Sequence, residues 1–396
     1  MRALTVQLRD FRTYTRAEAT LGPGLTVVHG PNGAGKSNLL EAIYFGCTGR
    51  SPRARNEREL VRFGEKAARV AVCVGDGERR HELTVGYGAL SEDARPVKRM
   101  TCDGAPVDSL LELPQRPLLS VFMPERLELL KGPPSVRRAH LDQLVAAFWP
   151  LRDRERRAYA RVLAQRNSLL SRLRSGIGSR AGLHTWDLQL ARHALALRDN
   201  RAQAVELIAA DFSRHAERLG LAGQASVEYR PRTRAADEAE LVAELEARLD
   251  HDLARGFSGH GPHRDELALL RDGRELRVYG SQGEQRLALL ALLLAEREAL
   301  GRLRSHPPLM LLDDVMSELD AERRELLARE LCSAGQSVIA TTDLAHVPGA
   351  ARANVTRLRV SPGTVLQEAA PSVHAGAGAD VSLHVVPATA LGGTPR

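Results

Sequence analysis

The sequence predicts an α/β fold: a sheet with flanking helices and an antiparallel N-terminal β portion, interrupted by an inserted α-helical hairpin arm. Three observations carry that reading. The β-branched run LTVVHG (residues 25–30) turns through glycines into SNLLEAIYF, whose apolar residues recur at helical spacing. PLMLLDD (308–314) is a short continuous apolar run of the kind buried on both faces of a parallel sheet. Between them, from about Lys131 to Arg218, the pattern changes to long helical periodicity.

Composition sets the bounds. With 396 residues, 43% of them hydrophobic, the chain can bury a sizeable core and is expected to hold two domains. Lys plus Arg total 56 against 49 Asp plus Glu, and a pI near 9.6 makes a polyanionic partner worth considering. Cys47, Cys73, Cys102 and Cys332 lack paired or metal-ligand spacing, which argues against a disulfide scaffold and a zinc site and fits a reducing cytoplasm. The longest apolar run, Leu287 to Ala295, is too short to cross a bilayer, so no membrane is expected.

The N-terminal residues alternate as an antiparallel pair, with LTVQLRDF (4–11) as one strand. The glycine turn then raises a question of its own. Only four of the 56 cationic side chains are lysines, and one of them, Lys36, sits in GPNGAGKSN. Between strand and helix, Gly30, Gly33 and Gly35 allow a tight turn whose N–H groups face a phosphate at the positive end of a helix. A compact ammonium fits that cradle where a planar guanidinium does not. Gly30, Pro31, Asn32, Gly33, Ala34, Gly35, Lys36, Ser37 and Asn38 are therefore the candidate ATP-binding residues, with Ser37 as a Mg²⁺ ligand.

A phosphate loop needs an acidic strand end. Asp313 is expected to bind Mg²⁺ and Asp314 to polarise the attacking water, at the carboxyl end of the apolar strand. VYGSQGEQRLALLALLLAERE (278–298) places Ser281 before a helix apolar on almost every face; such a helix is buried, and its N-terminus is a second anion site or an ordinary N-cap. SELD (317–320) opens the helix after the acidic strand, and SVIATTD (337–343) reads as another buried strand.

In that order, these motifs resemble the ATPase heads of the ABC and SMC-like superfamily. Within it, GPNGAGKSNLLEAIYF, GHGPHRDEL, YGSQGEQRLALLALLLAE and LLLDDVMSELD closely resemble the RecF family of bacterial recombination mediators, over about residues 1–365. The resemblance implies that Ser281, with Gly283, Glu284 and Gln285, forms a signature motif contacting the nucleotide of a partner subunit, and that Asp320 lies in a loop linking two sites. Lys36, Asp313, Asp314 and Ser281 would then carry a weak, DNA-stimulated ATPase that depends on an ATP-bridged homodimer. Recombinational repair at gapped DNA, RecA loading, and RecR and RecO as partners are implied likewise. Asp314 replaces the usual catalytic glutamate, Thr341, Thr342 and Asp343 offer no switch histidine, and the expected glutamine-loop segment, 120–132, has no glutamine. A transporter motor subunit and an ATP-assembled DNA-bridging protein share much of this chemistry and stand as alternatives.

The arm window, 131–218, holds 17 Lys plus Arg against eight Asp plus Glu, a local excess of +9 that leaves the rest of the chain at about −2. Tyr159, Val162, Leu163, Leu170 and Leu173 share one helical stripe and Trp186, Leu190, Ala194, Leu197, Val205, Ile208 and Phe212 another, and SGIGSRAG (175–182) breaks between them, which predicts a hairpin. Arg154, Arg157, Arg161, Arg166, Arg172 and Arg174 line one helix, either as a solvated surface or as contacts to duplex phosphates. Arg53 and Arg55, in GRSPRARNER (49–58), form a second candidate set for double-stranded DNA. No aromatics interleave with these charges, which argues against base stacking on single strands, and backbone contacts carry no sequence information, so binding is expected to be sequence-independent and salt-sensitive. The domains expected are a head (1–130 and 257–370), a mainly helical arm (131–256), and a flexible tail (371–396) rich in Ala, Gly and Pro.

Overall fold

The computed structural model describes residues 1–368 apart from 55, 90–95, 305–306, 318 and 334. The tail expected at 371–396, like Arg55, lies outside the described residues. Two sheets stack around one helix. The first is antiparallel, in the order β2-β1-β4-β5-β6-β7, from β1 (Arg2–Phe11), β2 (Tyr14–Thr20), β4 (Ala67–Gly75), β5 (Arg80–Gly88), β6 (Val97–Cys102) and β7 (Ala105–Pro106). The strand expected at 4–11 is β1, and it pairs β2 as anticipated.

The second sheet runs β15-β14-β3-β13-β12-β8, from β3 (Leu25–His29), β8 (Leu119–Phe122), β12 (Leu309–Asp313), β13 (Ser337–Thr341), β14 (Thr356–Ser361) and β15 (Thr364–Glu368). It is parallel from β14 to β8, and β15 closes one edge antiparallel. Its central strands β3, β12 and β13 are buried almost throughout because both of their faces are covered. Val28, Leu309, Leu311 and Val338 point toward α1 (Lys36–Thr48) and the antiparallel sheet. Val27, Met310, Leu312 and Ile339 point toward the opposite helical layer. Gln336 ties the two sheets together, its side chain accepting from Ala3 N and donating to Ala3 O and Gly22 O.

That helical layer is built from α2 (Glu128–Lys131), α3 (Pro134–Phe148), the later half of α5 (Leu183–Arg218), α8 (Leu276–Tyr279), α9 (Gln282–Leu303) and α10 (Ala321–Ser333). The helix expected to be apolar all round is α9, and residues 287–295 of it are buried without a break. Projecting from the layer, α4 (Asp153–Arg174) and the first half of α5 form the hairpin, with the break at 175–182 where the sequence placed it. α6 (Glu238–Glu246) and α7 (Leu249–Arg255) pack on its flank, and Tyr159, Val162, Leu190, Ala194 and Leu197 make its separate core. A small sheet of β9 (Ala225–Arg230), β10 (Glu266–Arg271) and β11 (Arg274–Glu275) completes the fold.

Residues 131–256 do not pack as one unit. α3, the stretch of α5 carrying Val205, Ile208 and Phe212, and β9 belong to the main core. One long helix therefore supplies both arm and head. The line of arginines along α4 also divides. Arg154, Arg157 and Arg161 are exposed, but Arg166, read from the sequence as one of that line, is fully buried. Its position on the apolar face forces pairing, and it meets Asp187 Oδ1 at 2.5 Å and Asp252 Oδ2 at 2.8 Å.

Candidate nucleotide-binding site

The glycine turn leaves β3 at His29 and enters α1 at Lys36. Gly30 and Gly35 have φ of 152° and 112°, values costly for any other residue. Space demands glycine too: a Cβ at Gly30 would lie 2.1 Å from Val360 O, and one at Gly35 2.9 Å from Tyr14 Oη. Tyr14 Oη donates to Gly35 O at 2.9 Å, fixing the last residue before the helix. α1 has no side-chain cap and no acid in its first turn, so its free N–H groups keep their positive potential.

Lys36 Nζ donates to Gly30 O and Pro31 O, each at 2.9 Å, and draws the loop around its own ammonium. Burial pushes the Lys36 pKa down; the negative charges of Asp314 and Asp313 oppose that shift, which places the acidic strand end within electrostatic reach of the loop. Asp313 closes β12 and is 7% exposed. Asp314 follows with φ of 49°, its N–H donating to Ala340 O at 3.1 Å, and its buried Oδ1 has no hydrogen-bond partner among the described residues. A bent backbone, an uncommitted carboxylate oxygen and a nearby ammonium suit a hydrated cation beside a phosphate. Asp313 and Asp314 line a recess of about 80 Å³ with Phe122, Leu127, Leu290 and Arg286. Arg286 directly follows the residues that the resemblance reads as a signature motif, and its place beside the acidic pair was not read from the sequence. The segment expected to hold a glutamine loop does lie here, since β8 pairs β12 in parallel.

Behind the loop, Glu41 is fully buried and takes both arms of Arg12, at 2.9 Å each, together with Ser51 Oγ at 2.6 Å. Arg53 joins this group, 3.6 Å from Glu41 and 3.3 Å from Asn38 Oδ1, so it stands beside the phosphate loop. Sequence reading missed Glu41, whose only signal was a carboxylate on an otherwise apolar helix face.

Ser281 is the N-cap of α9 in a complete capping box: Glu284 N donates to Ser281 Oγ at 3.3 Å, and Ser281 N to Glu284 Oε2 at 2.8 Å. Ser281, Gln282 and Gly283 are exposed. Gln285 turns inward, its amide donating to Leu276 O at 2.9 Å and Gly280 O at 3.1 Å, which braces the loop before the helix. Glu284 also pairs with Arg271. Ser281 O also accepts from Gln285 N at 3.0 Å, so the serine is held at the exposed tip of α9. Asp320 caps α10, accepting from Arg323 N at 2.9 Å. Thr341 Oγ1 donates to Asp343 O at 3.0 Å at the end of β13.

An AAA domain family model matches residues 5–94, which include β1, β2, the glycine turn and α1. DNA replication and repair protein RecF of Myxococcus xanthus is 37% identical over 379 residues, covering 92% of this chain and 97% of that protein. The chain belongs to the RecF family. A RecF from Anaeromyxobacter dehalogenans is 38% identical, covering 92% of this chain and 99% of the relative. Among solved structures, the recombination mediator protein RecF-ATP of the RecFOR pathway aligns with a TM-score of 0.80 at 28% identity, covering 93% of this chain and 97% of that one. An Smc head from Pyrococcus furiosus aligns at 0.56 with 17% identity, a likeness of fold. RecF membership thus spans head and arm alike. No helix among the described residues is long and apolar enough to cross a membrane.

Proposed function

We propose that the chain is an ATP-dependent DNA-binding protein of recombinational repair that dimerises on duplex DNA when ATP bridges two heads, and leaves after slow hydrolysis. The observation that carries this reading is the convergence of Lys36 with Asp313 and Asp314 at a helix N-terminus free of side-chain caps. Gly30 to Asn38 would hold the ATP phosphates, and Ser37 and Asp313 would hold Mg²⁺, which supplies charge neutralisation at the phosphates. Asp314 holds and orients the attacking water through its unpartnered Oδ1, and a side chain one carbon shorter than a glutamate's favours slow turnover.

Ser281 and Gly283, exposed at the positive end of α9, are suited to a phosphate presented by a second copy, while Glu284 and Gln285 hold that end in shape. Asp320 would link the two sites. Exposed Arg154, Arg157 and Arg161 on the arm provide phosphate contacts that carry no sequence information. The RecFOR context of the ATP-bound relative supports RecR and RecO as partners; RecA loading in the cytoplasm, on the nucleoid, is the outcome that the proposed role in repair would have. The test is specific ATPase activity against protein concentration, with and without duplex. A second-order rise, increased by DNA and lost in Asp314→Asn, is expected; a rate per chain independent of concentration contradicts the reading.

A further inference from the structure

The outer face of the antiparallel sheet carries a row of like charges that sheet stability does not explain. Arg9 of β1 lies opposite Arg16 of β2 on one side and Arg69 of β4 on the other. Arg69 lies opposite Gly86 of β5, and Gly86 opposite Arg99 of β6. Directly opposed residues share a face, so one line across five adjacent strands reads Arg16, Arg9, Arg69, Gly86, Arg99. All four arginines are exposed, while Leu8, Val70 and Val85, which alternate with them, are buried.

Like charges directly opposite one another destabilise a sheet, by up to about 1 kcal/mol per pair. Compensation within the chain is thin. Arg9 is 3.9 Å from Asp10 and Arg69 is 3.8 Å from Glu82, both long and solvent-screened, and Arg16 and Arg99 make no ion pair among the described residues. At Gly86 a Cβ would meet only Ala68 O, at 3.9 Å, so the row is indented between Arg69 and Arg99. With strands about 4.8 Å apart the row spans about 19 Å, the rise of five or six phosphates on one strand of a duplex.

We propose that this row is a phosphate-binding surface for duplex DNA, separate from the arm. It rests on the reading of the chain as a DNA-binding protein. The neighbouring line, Glu18, Gln7, Ala71, Thr84 and Thr101, is polar or small. The line on the row's other side, Ala67, Gly88 and Val97, adds a lone exposed valine, so neither line offers a large apolar anchor for a protein interface, and a phosphodiester backbone needs none.

The experiment compares the full-length wild type, the quadruple variant Arg9→Gln, Arg16→Gln, Arg69→Gln, Arg99→Gln, the corresponding four-lysine variant, and the arm variant Arg154→Glu, Arg157→Glu, Arg161→Glu. Binding to a labelled duplex is followed by anisotropy across a salt series with ATP present. In the glutamine variant the slope of log affinity against log salt should shrink by up to about 3.6, four phosphates at about 0.9 each. The lysine variant should keep the wild-type slope. Melting of the glutamine variant at or above the wild-type temperature shows that the fold is intact. A wild-type slope in the glutamine variant, with the arm variant altered, overturns the row and spares the DNA-binding reading, whatever acidic protein the row meets. No duplex binding by the wild type overturns both.

Discussion

Replacing Arg166 by leucine removes the cation at the centre of the arm. Arg166 joins three segments of chain, through Asp187 on α5, Asp252 on α7 and Ser258 Oγ at 2.8 Å. Arg166→Leu keeps much of the apolar stem but strands two buried carboxylates, and removing one partner of a buried pair costs about 3–5 kcal/mol. At about 1.4 kcal/mol per decade, amides of α4 should exchange about 10²- to 4×10³-fold faster. The sign with pH is also fixed. Burial pushes the Asp187 carboxyl up and Arg166 opposes the shift. A carboxyl raised above its unfolded pKa of about 3.9 contributes stability that is full below that value and lost as pH rises through the folded one. Without Arg166 the upward push loses its largest opponent, so stability falls more steeply with rising pH than in the wild type. Adding Asp187→Asn should recover part of the loss. Exchange on α4 at the wild-type rate, or stability that rises with pH in the single variant, would refute this account of the arm.

Other consequences are equally direct. Gly30→Ala drives a Cβ against Val360 O and should abolish nucleotide binding by calorimetry while far-ultraviolet dichroism stays unchanged. Ser281→Ala loses an N-cap, about 1 kcal/mol of local stability, and should still bind ATP with wild-type affinity but fail to dimerise on it by light scattering. His263 stacks on Tyr159, with Nδ1 2.6 Å from its hydroxyl, and burial lowers its pKa to about 4. Its neutral form therefore contributes stability that is present above the unfolded value of about 6.5 and is lost as pH falls toward about 4; His263→Phe should flatten that part of the acid melting curve.

The parts of the fold that the sequence revealed are those where local pattern and tertiary demand agree. The strand, glycine turn and helix at 25–48 are legible because only glycine satisfies both the φ values and the contacts there. LMLLD reads as a parallel strand because both of its faces are covered. The hairpin break at 175–182 is visible in composition. What stayed hidden depends on which element lies opposite. Arg166 and Arg161 lie on one helix, but only the packing of α5 and α7 against it makes one a buried ion pair and leaves the other in solvent. α5 carries a single apolar stripe whose two halves enter different cores. Glu41 and Gln336 are bound by partners remote in sequence, Arg286 lines a recess with acids distant along the chain, and the arginine row exists only once the strand register is known.

The central claim is that ATP joins two copies, each completing the other's site, and sedimentation velocity of the purified chain tests it most directly. With Mg²⁺ and ATP the wild type should sediment as a dimer and without ATP as a monomer, and Lys36→Arg should remain monomeric in both. A wild-type monomer that hydrolyses ATP while sedimenting alone would contradict the account.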